Sequence, residues 1–234
     1  MTTTLTTGLE RPRTSARSGG IAAIGQAGCF VVGLALFGGV VAPSGFGDLT
    51  TDPAEQVAYL VDHQGLLAVG YAVIYLLFGA LLVVQALALH GLLVTRAPLL
   101  ARVATAFAVV WAALMFAAGM TAIVGADMVA TLSGSDPGLA SSLLLSLQMV
   151  TEGTGGGIEL VGGLWLLLVS VAATRAGLLP RWLNALGIVA GVAGVASTVL
   201  AVGDVAIAVF VTAAVTWYVG VGGALLRGRV RAAA

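Results

Sequence analysis

The stretch of sequence that decides the fold covers residues 151–194 and reads TEGTGGGIELVGGLWLLLVSVAATRAGLLPRWLNALGIVAGVAG. It begins with two acids and a run of glycines, and continues with an apolar segment suited to a membrane helix. A short loop bounded by Arg175 and Arg181 follows, and a second apolar segment begins after it. Two apolar segments joined by an arginine-bounded loop predict a helical hairpin in a membrane, with the loop on the cytoplasmic side.

The composition of the whole chain agrees with this prediction. Of the 234 residues, 59% are hydrophobic and 9% are charged, and the mean hydropathy is +1.09. Soluble domains contain about 25% charged residues, so we expect a lipid bilayer to surround most of the chain. No basic patch outside short loops points to a nucleic-acid partner. The single cysteine, Cys29, excludes an intrachain disulfide.

Apolar runs recur along the chain and predict six transmembrane helices. Short interfacial helices are expected in the two outer polar stretches, residues 43–64 and 127–157. In the first stretch, Asp52 is placed to cap a helix that begins at Pro53. We therefore predict an all-α polytopic membrane helix bundle. The approximate bounds of its transmembrane helices are 20–42, 65–93, 103–126, 157–174, 182–202 and 205–226.

The basic residues predict how this bundle is oriented. All ten are arginine, and with six crossings every one of them falls on the same side of the membrane. Nine of the ten acids fall on or toward the opposite side, Glu10 being the exception. Because cytoplasmic loops carry an excess of Lys and Arg, we expect both termini in the cytoplasm.

The same composition predicts a source and a domain layout. Absence of lysine together with abundant Ala, Gly and Val is typical of a GC-rich bacterial genome. We therefore expect a multi-pass protein of the bacterial inner (plasma) membrane. Its predicted parts are a disordered cytoplasmic tail at 1–18, a six-helix transmembrane domain at 19–227 and a cytoplasmic tail at 228–234.

Two acids near the fourth predicted helix are the candidate ligand or proton site. Glu159 precedes Arg175 by sixteen residues, which places it about 24 Å from the inner boundary at about 1.5 Å per residue. Ionisable groups at such depth are often functional. The alternative is that Glu159 lies at headgroup depth or binds the N-terminus of its own helix.

Glu152 lies seven positions before Glu159. An unbroken helix would put both carboxylates on one face, where they could bind a cation or share a proton. The intervening GTGGG indicates a break in the helix, which favours a solvated outer acid at Glu152.

Three other polar side chains inside predicted helices, Gln26, Gln85 and His90, are candidates for intramembrane contacts. Buried amides that bond across helices contribute about 1 kcal/mol. His90 is 27 residues from His63, the only other histidine, so the two cannot ligate one haem within a chain. No metal-ligand spacing is recognisable, and we expect neither a metal nor a cofactor.

Small residues recur at helical spacing at Gly187, Gly191 and Gly194. Such residues let two helix backbones approach closely and gain dispersion contacts within lipid. They serve either as a homodimer face or in packing within the chain, and the second is favoured because the pattern is common.

No nucleophile elbow, phosphate-binding loop or metalloprotease motif occurs in the sequence, so we expect no enzymatic activity. Two functional hypotheses remain. The first is a small-solute or ion carrier with an outer acidic vestibule that uses Glu159 and Glu152. The alternative is a non-transporting membrane sensor, or an interaction partner of another protein, contacted through the outer segments.

The last three predicted helices carry a family resemblance. Its motifs are GGLWLLL at 162–168, RAGLLPRWL at 175–183, and LG at 186–187 followed by GVAG at 191–194. With the six-helix pattern and the length, these motifs make the chain resemble the bacterial membrane family designated domain of unknown function 4386, over about residues 18–228. The resemblance implies a multi-pass membrane bundle and carries no established activity.

Overall fold

The structure, a computed structural model, describes residues 10–156, 159–199 and 201–228, and side chains within these ranges except at 10–14 and 156. Every regular element in these ranges is helical. Three stretches are π-helical, Leu34–Val41, Ala72–Leu77 and Glu152–Gly156, and Ala42–Ser44 forms a 3-10 turn. The α-helices are α1 (Glu10–Gly33), α2 (Pro53–Tyr71), α3 (Phe78–Leu93), α4 (Pro98–Ser133), α5 (Pro137–Thr151), α6 (Leu160–Ala176), α7 (Arg181–Ala196) and α8 (Gly203–Leu226).

The helices have the length and composition of membrane spans. Within the described residues, five segments are long and apolar enough to cross a bilayer, and α7, which has 16 residues, is apolar but shorter. The all-α membrane architecture expected from the sequence is therefore present, with five such spans. They are Ser15–Ser44, Gln64–Leu93, Pro98–Ser133, Pro137–Ala176 and Gly203–Leu226.

Helix α4 extends beyond its predicted end at residue 126. It continues to Ser133 and passes through Asp127, the first residue of the predicted outer stretch 127–157. Asp127 does not interrupt the helix because its carboxylate is exposed and accepts a hydrogen bond from Gln64 Nε2 at 3.3 Å. The helix ends only where Gly134 follows.

Helix α7 ends at Ala196, several residues before the predicted limit at residue 202. At its end the Ser197 hydroxyl donates to the Gly194 carbonyl at 2.7 Å, and the Thr198 hydroxyl donates to the Val195 carbonyl at 2.8 Å. Such bonds compete with helical pairing of the backbone. The described residues between α7 and α8 form turns although Val199 and Val202 are apolar.

The N-terminal part of the chain differs from the predicted disordered tail. Helix α1 begins at Glu10, so residues 10–18 of that tail are helical. Pro12 is compatible with this start because proline is tolerated in the first helical turn. Residues 1–9 and 229–234, which make up the rest of the two predicted tails, lie outside the described residues.

The predicted start of the helix at Pro53 is confirmed. The Asp52 carboxylate accepts a hydrogen bond from the Ala54 N–H at 2.9 Å, and Pro53 occupies the first helical position. The helical run continues to Tyr71, but a kink divides it into a short helix that begins at Pro53 and an apolar helix. Its backbone is non-helical at His63 (φ −120°, ψ 19°), and the apolar span begins at the next residue.

The chain divides into two compact units. Unit 1 consists of Met1–Ala27, Leu81–Val110 and Glu159–Ala234, and unit 2 consists of Gly28–Ala80 and Trp111–Ile158. The fully buried aromatic side chains Trp165, Phe210, Trp217 and Tyr218 lie in unit 1. The core of unit 2 includes Leu60, Leu67, Val129 and Leu144.

Glycines let α6 and α7 approach closely within unit 1. A Cβ on Gly163 would lie 2.8 Å from the Gly191 carbonyl oxygen, and one on Gly194 would lie 2.7 Å from Gly163 Cα. A Cβ on Gly187 would lie 2.7 Å from the indole nitrogen of Trp217 in α8. The small-residue face formed by Gly187, Gly191 and Gly194 therefore packs against α6 and α8 of the same chain.

Candidate functional site

Unit 2 contains a partly open cavity of about 420 Å³. Apolar side chains from the core of unit 2 form one part of its wall. Its chemistry comes from three aromatic rings, two carboxylates and one amide, which are those of Phe37, Phe46, Tyr71, Asp48, Glu152 and Gln148. This combination of apolar walls and a few polar groups is typical of small-molecule sites.

The aromatic rings of the cavity are held in pairs. Phe37 and Tyr71 stack with their ring centroids 5.3 Å apart and their planes 29° apart. Phe46 packs against Tyr59, with ring centroids 5.5 Å apart. Rings in such pairs lose little freedom on binding a ligand, because packing already fixes their orientation.

The loop that carries Phe46 and Asp48 is anchored by Gln56, a buried side chain of α2. Gln56 Oε1 accepts from the Gly47 N–H at 2.9 Å, while Nε2 donates to the carbonyls of Asp48 at 2.9 Å and Thr51 at 3.2 Å. Gly47 has φ +90°, a conformation that glycine adopts without strain. One amide thus fixes the backbone at this edge of the cavity.

Gln56 also fixes the orientation of the Gln148 amide. Since Gln56 Nε2 already donates to two carbonyls, its Oε1 is the acceptor for Gln148 Nε2, which lies 2.9 Å away. The Gln148 carbonyl oxygen is then the remaining polar atom of that amide. It is buried and has no hydrogen-bond partner among the described residues.

Asp48 is held in its ionised form. The Thr50 N–H and the Thr50 hydroxyl both donate to Asp48 Oδ1 at 2.8 Å. These hydrogen bonds, the backbone one first, lower the pKa of Asp48 below its ordinary value. The carboxylate is consequently charged at neutral pH.

Glu152 lies at the start of the π-helical stretch that follows α5, and its side chain is exposed and lines the cavity. The helix does not run unbroken from Glu152 to Glu159, because Gly155 has φ +150° and ψ 16°. The sequence indicated a break at GTGGG, and the backbone has one there. Glu152 and Glu159 belong to different units.

The charges are distributed very unequally between the two units. All ten arginines belong to unit 1, and the sequence of unit 2 contains neither arginine nor lysine. Unit 2 nevertheless contains seven of the ten acids, so its field favours cations over anions. Those acids are Asp48, Asp52, Glu55, Asp62, Asp127, Asp136 and Glu152.

Glu159 is buried in unit 1, where it immediately precedes α6. Its backbone N–H donates to the Ser197 hydroxyl at 2.9 Å, and its carbonyl accepts from the Gly163 N–H at 2.8 Å. The carboxylate makes no capping hydrogen bond to α6, in contrast to one of the alternatives suggested by the sequence. It lies within electrostatic range of the buried Tyr218 hydroxyl.

The other polar side chains singled out in the sequence join helices of unit 1. Gln26 Nε2 donates to Gln85 Oε1 at 2.5 Å, and both side chains are fully buried. His90 Nδ1 lies 2.9 Å from the Thr105 hydroxyl, which itself donates to the Ala101 carbonyl at 2.8 Å. These contacts connect α1 with α3 and α3 with α4.

A second opening in unit 2 has different chemistry. It measures about 340 Å³ and contains one carboxylate, that of Asp62, and no aromatic ring among its described lining residues. Elsewhere in the described chain, no group of three or more His, Cys, Asp or Glu side chains is placed to hold a metal ion. The cavity that contains Glu152 is therefore the candidate functional site.

Sequence reasoning identified Glu152 but missed the rest of this site. Phe37, Tyr71 and Gln148 come from three separate segments, and their meeting depends on tertiary packing. A local signal was available in the polar stretch 43–64, which contains Phe46 and Asp48 and for which the sequence predicted only a short interfacial helix.

Comparison with known proteins shows the family of the chain. No curated protein and no solved structure gave a match. The family model described as domain of unknown function (DUF4386) matches residues 22–228, which is most of the sequence. The chain, with its membrane-type helices and its acidic cavity, belongs to the DUF4386 family.

Proposed function

We propose that this protein is a small-solute carrier of the bacterial plasma membrane, and that it takes up its solute in the unit 2 cavity. The observation that carries the proposal is the cavity of about 420 Å³, whose wall combines stacked rings with the carboxylates of Asp48 and Glu152. That volume lies within the range of roughly 300–1,000 Å³ that is usual for small-molecule sites. The proposal includes no catalytic step.

The break between α5 and α6 supports a transport role. Many carrier proteins bind their substrates at interrupted helices, where backbone groups line a cavity. Here the helical run Pro137–Ala176 is interrupted at Gly155, and Glu152 lies at that interruption and in the cavity wall.

The proposal includes six crossings with both termini in the cytoplasm, α7 being the shortest crossing. Its support is that all ten arginines then lie on one side, which places the acidic cavity toward the outside. In a Cys29→Ala background, we expect Asp204→Cys to react with a membrane-impermeant maleimide in intact cells. Arg181→Cys should react only after permeabilisation. The reverse pattern would contradict the topology.

Solute binding is tested by thermal unfolding of the purified protein with a panel of amines, amino acids, sugars and inorganic cations. A solute at about 100 times its Kd should stabilise the native state by about 2.7 kcal/mol. Ala122→Phe, which fills the cavity, should abolish this stabilisation. The matched variant Val124→Phe, at a side chain that is 60% exposed on the same helix, should retain it.

Uptake of the bound solute into proteoliposomes then separates a carrier from the alternative function. We expect uptake by the wild type and by Val124→Phe, and none by Ala122→Phe. Binding without uptake would contradict the carrier proposal and support a membrane sensor. Stabilisation that persists in Ala122→Phe would show that the solute binds elsewhere.

A further inference from the structure

We propose that the ligand of the unit 2 cavity is a monovalent organic cation with apolar substituents, of the quaternary or tertiary ammonium class. This inference rests on the proposed function, because it names the chemistry of the solute for the same cavity. The properties of the cavity that carry it are its charge, its aromatic faces, its hydrogen-bonding groups and its volume.

The charge of the cavity selects against anions. Asp48 and Glu152 both line it, and none of its described lining residues is basic. The sequence of unit 2 contains no arginine or lysine that could neutralise these carboxylates from a greater distance. An anionic solute would therefore be repelled by these two carboxylates, whereas a cation is attracted before it makes any contact.

The aromatic rings favour an organic cation over a small inorganic one. A cation over the face of Tyr or Phe, within about 6 Å of the ring centroid, is attracted by the quadrupole of the ring. Phe37 and Tyr71 form a stacked pair in the wall, and Phe46 lies in the adjacent loop. Alkyl groups around a nitrogen cation also gain from leaving water for this apolar surface, whereas a hydrated metal ion gains nothing from it.

The hydrogen-bonding groups of the wall are mainly acceptors. The carboxylates of Asp48 and Glu152 accept only, and the Gln148 amide nitrogen already donates to Gln56. The donors that remain are the hydroxyls of Thr151 and Tyr71. A carboxylate solute would require more donors than this, whereas an ammonium compound requires none.

The volume agrees with the same ligand class. A cavity of about 420 Å³ is far larger than a single ion and is within the range of sites that enclose a molecule of several heavy atoms. The rings and the carboxylates line the same cavity. One ligand can therefore place its charged nitrogen near the carboxylates and its apolar groups against the rings.

The experiment uses three probes and the full-length protein in lipid nanodiscs, with binding measured by isothermal titration calorimetry. Choline is the cation, and 3,3-dimethyl-1-butanol is its uncharged isostere. Benzyltrimethylammonium carries the same charge with a larger apolar group. We expect choline to bind about tenfold more tightly than the alcohol or better, and benzyltrimethylammonium to bind more tightly than choline.

Substitutions of residues in the cavity wall test whether the cations bind there. Glu152→Gln, at an exposed side chain, should weaken the binding of both cations about tenfold and leave that of the alcohol unchanged. Tyr71→Leu should weaken the cations about fivefold or more. Glu55→Gln is the matched control, because it removes an exposed acid of unit 2 that does not line the cavity, and it should change the affinity by less than about twofold.

The outcomes separate this inference from the proposed function. If the alcohol binds as tightly as choline, and Ala122→Phe abolishes both, the cavity takes solutes but the cation assignment is wrong. If the cations bind equally well to the wild type and to Ala122→Phe, neither proposal survives. If Glu152→Gln and Glu55→Gln lose the same amount of cation affinity, the attraction is a nonspecific effect of negative charge, and the inference is wrong.

Discussion

Gln148 Nε2 donates a hydrogen bond to Gln56 Oε1 over 2.9 Å, and so joins two side chains that are 92 positions apart in the sequence. The same Gln56 amide binds three backbone groups of the loop that carries Asp48. One buried side chain therefore couples the loop, α2 and α5 at the edge of the cavity. Its loss should affect all three.

We predict that Gln56→Leu destabilises the protein by about 1–3 kcal/mol, because it leaves backbone groups of Gly47 and Thr51 without their partner. Thermal unfolding measures the loss, and hydrogen exchange should show faster exchange in residues 45–51. Gln64→Leu, which removes an exposed amide contact to Asp127, is the control and should stay within about 0.5 kcal/mol. Equal effects of the two variants would contradict the role assigned to Gln56.

Gly155→Ala should destabilise the protein by about 1–3 kcal/mol. The backbone of Gly155 has φ +150°, and an added Cβ would overlap the terminal methyl group of Met115. Gly153→Ala provides a matched control in the same π-helical stretch, since no atom lies within 4 Å of its added Cβ. We expect melting temperatures close to wild type for that variant. Wild-type stability of Gly155→Ala would be inconsistent with the backbone described for this turn.

Gly191→Ala should destabilise the contact between α6 and α7. Its Cβ would lie 2.7 Å from the backbone nitrogen of Leu167, so the helices must separate to accommodate it, at a cost of about 1–3 kcal/mol. Gly223→Ala in α8 is the control, because its nearest neighbour is the Arg227 guanidinium at 4.0 Å. The comparison is made by thermal unfolding in one detergent. A tolerated alanine at Gly191 would mean that this small-residue face is not needed within the chain.

The stability of the protein should depend on pH through Asp48, and the sign of this dependence follows from the direction of the pKa shift. Hydrogen bonds from Thr50 lower the pKa of Asp48 below its ordinary value of 3.8, so the folded protein favours the charged carboxylate. The resulting stabilisation is fully present above that value and is lost as the pH falls through the lowered pKa. The melting temperatures of wild type and Asp48→Asn should differ by a constant amount from about pH 7 to 5 and converge below pH 3.8. Convergence already at pH 6 would contradict this assignment.

The class of fold and the family were predictable because they depend on composition and local pattern. Long apolar runs indicate membrane helices whatever their tertiary contacts, and the Asp52–Pro53 pair is a local start signal that the structure confirms. The end of α7 was not predictable in this way. The turns after Ala196 contain valines that are compatible with a helix, and hydroxyl groups of two residues there bond back to the last turn.

The candidate site was less predictable for a related reason. Glu152 is visible in the sequence as an acid next to apolar residues, but nothing local to it indicates that Phe37 or Tyr71 lies in the same cavity. Contacts between distant segments depend on how the helices pack. The periodicity of a single sequence predicts helices and strands, but it does not predict which distant residues meet. The orientation of the Gln148 amide depends on Gln56 and is equally invisible.

The three described π-helical stretches all belong to unit 2, and they supply or adjoin three of the six polar and aromatic side chains of the wall. Phe37 and Glu152 lie within two of them, and Tyr71 immediately precedes the third. A π-helical turn holds one residue more than an α-helical turn, so a return to α pairing rotates the following residues by about 100°. The shape of the cavity therefore depends on the register of the backbone hydrogen bonds, and a one-residue slip would exchange the side chains that line the cavity.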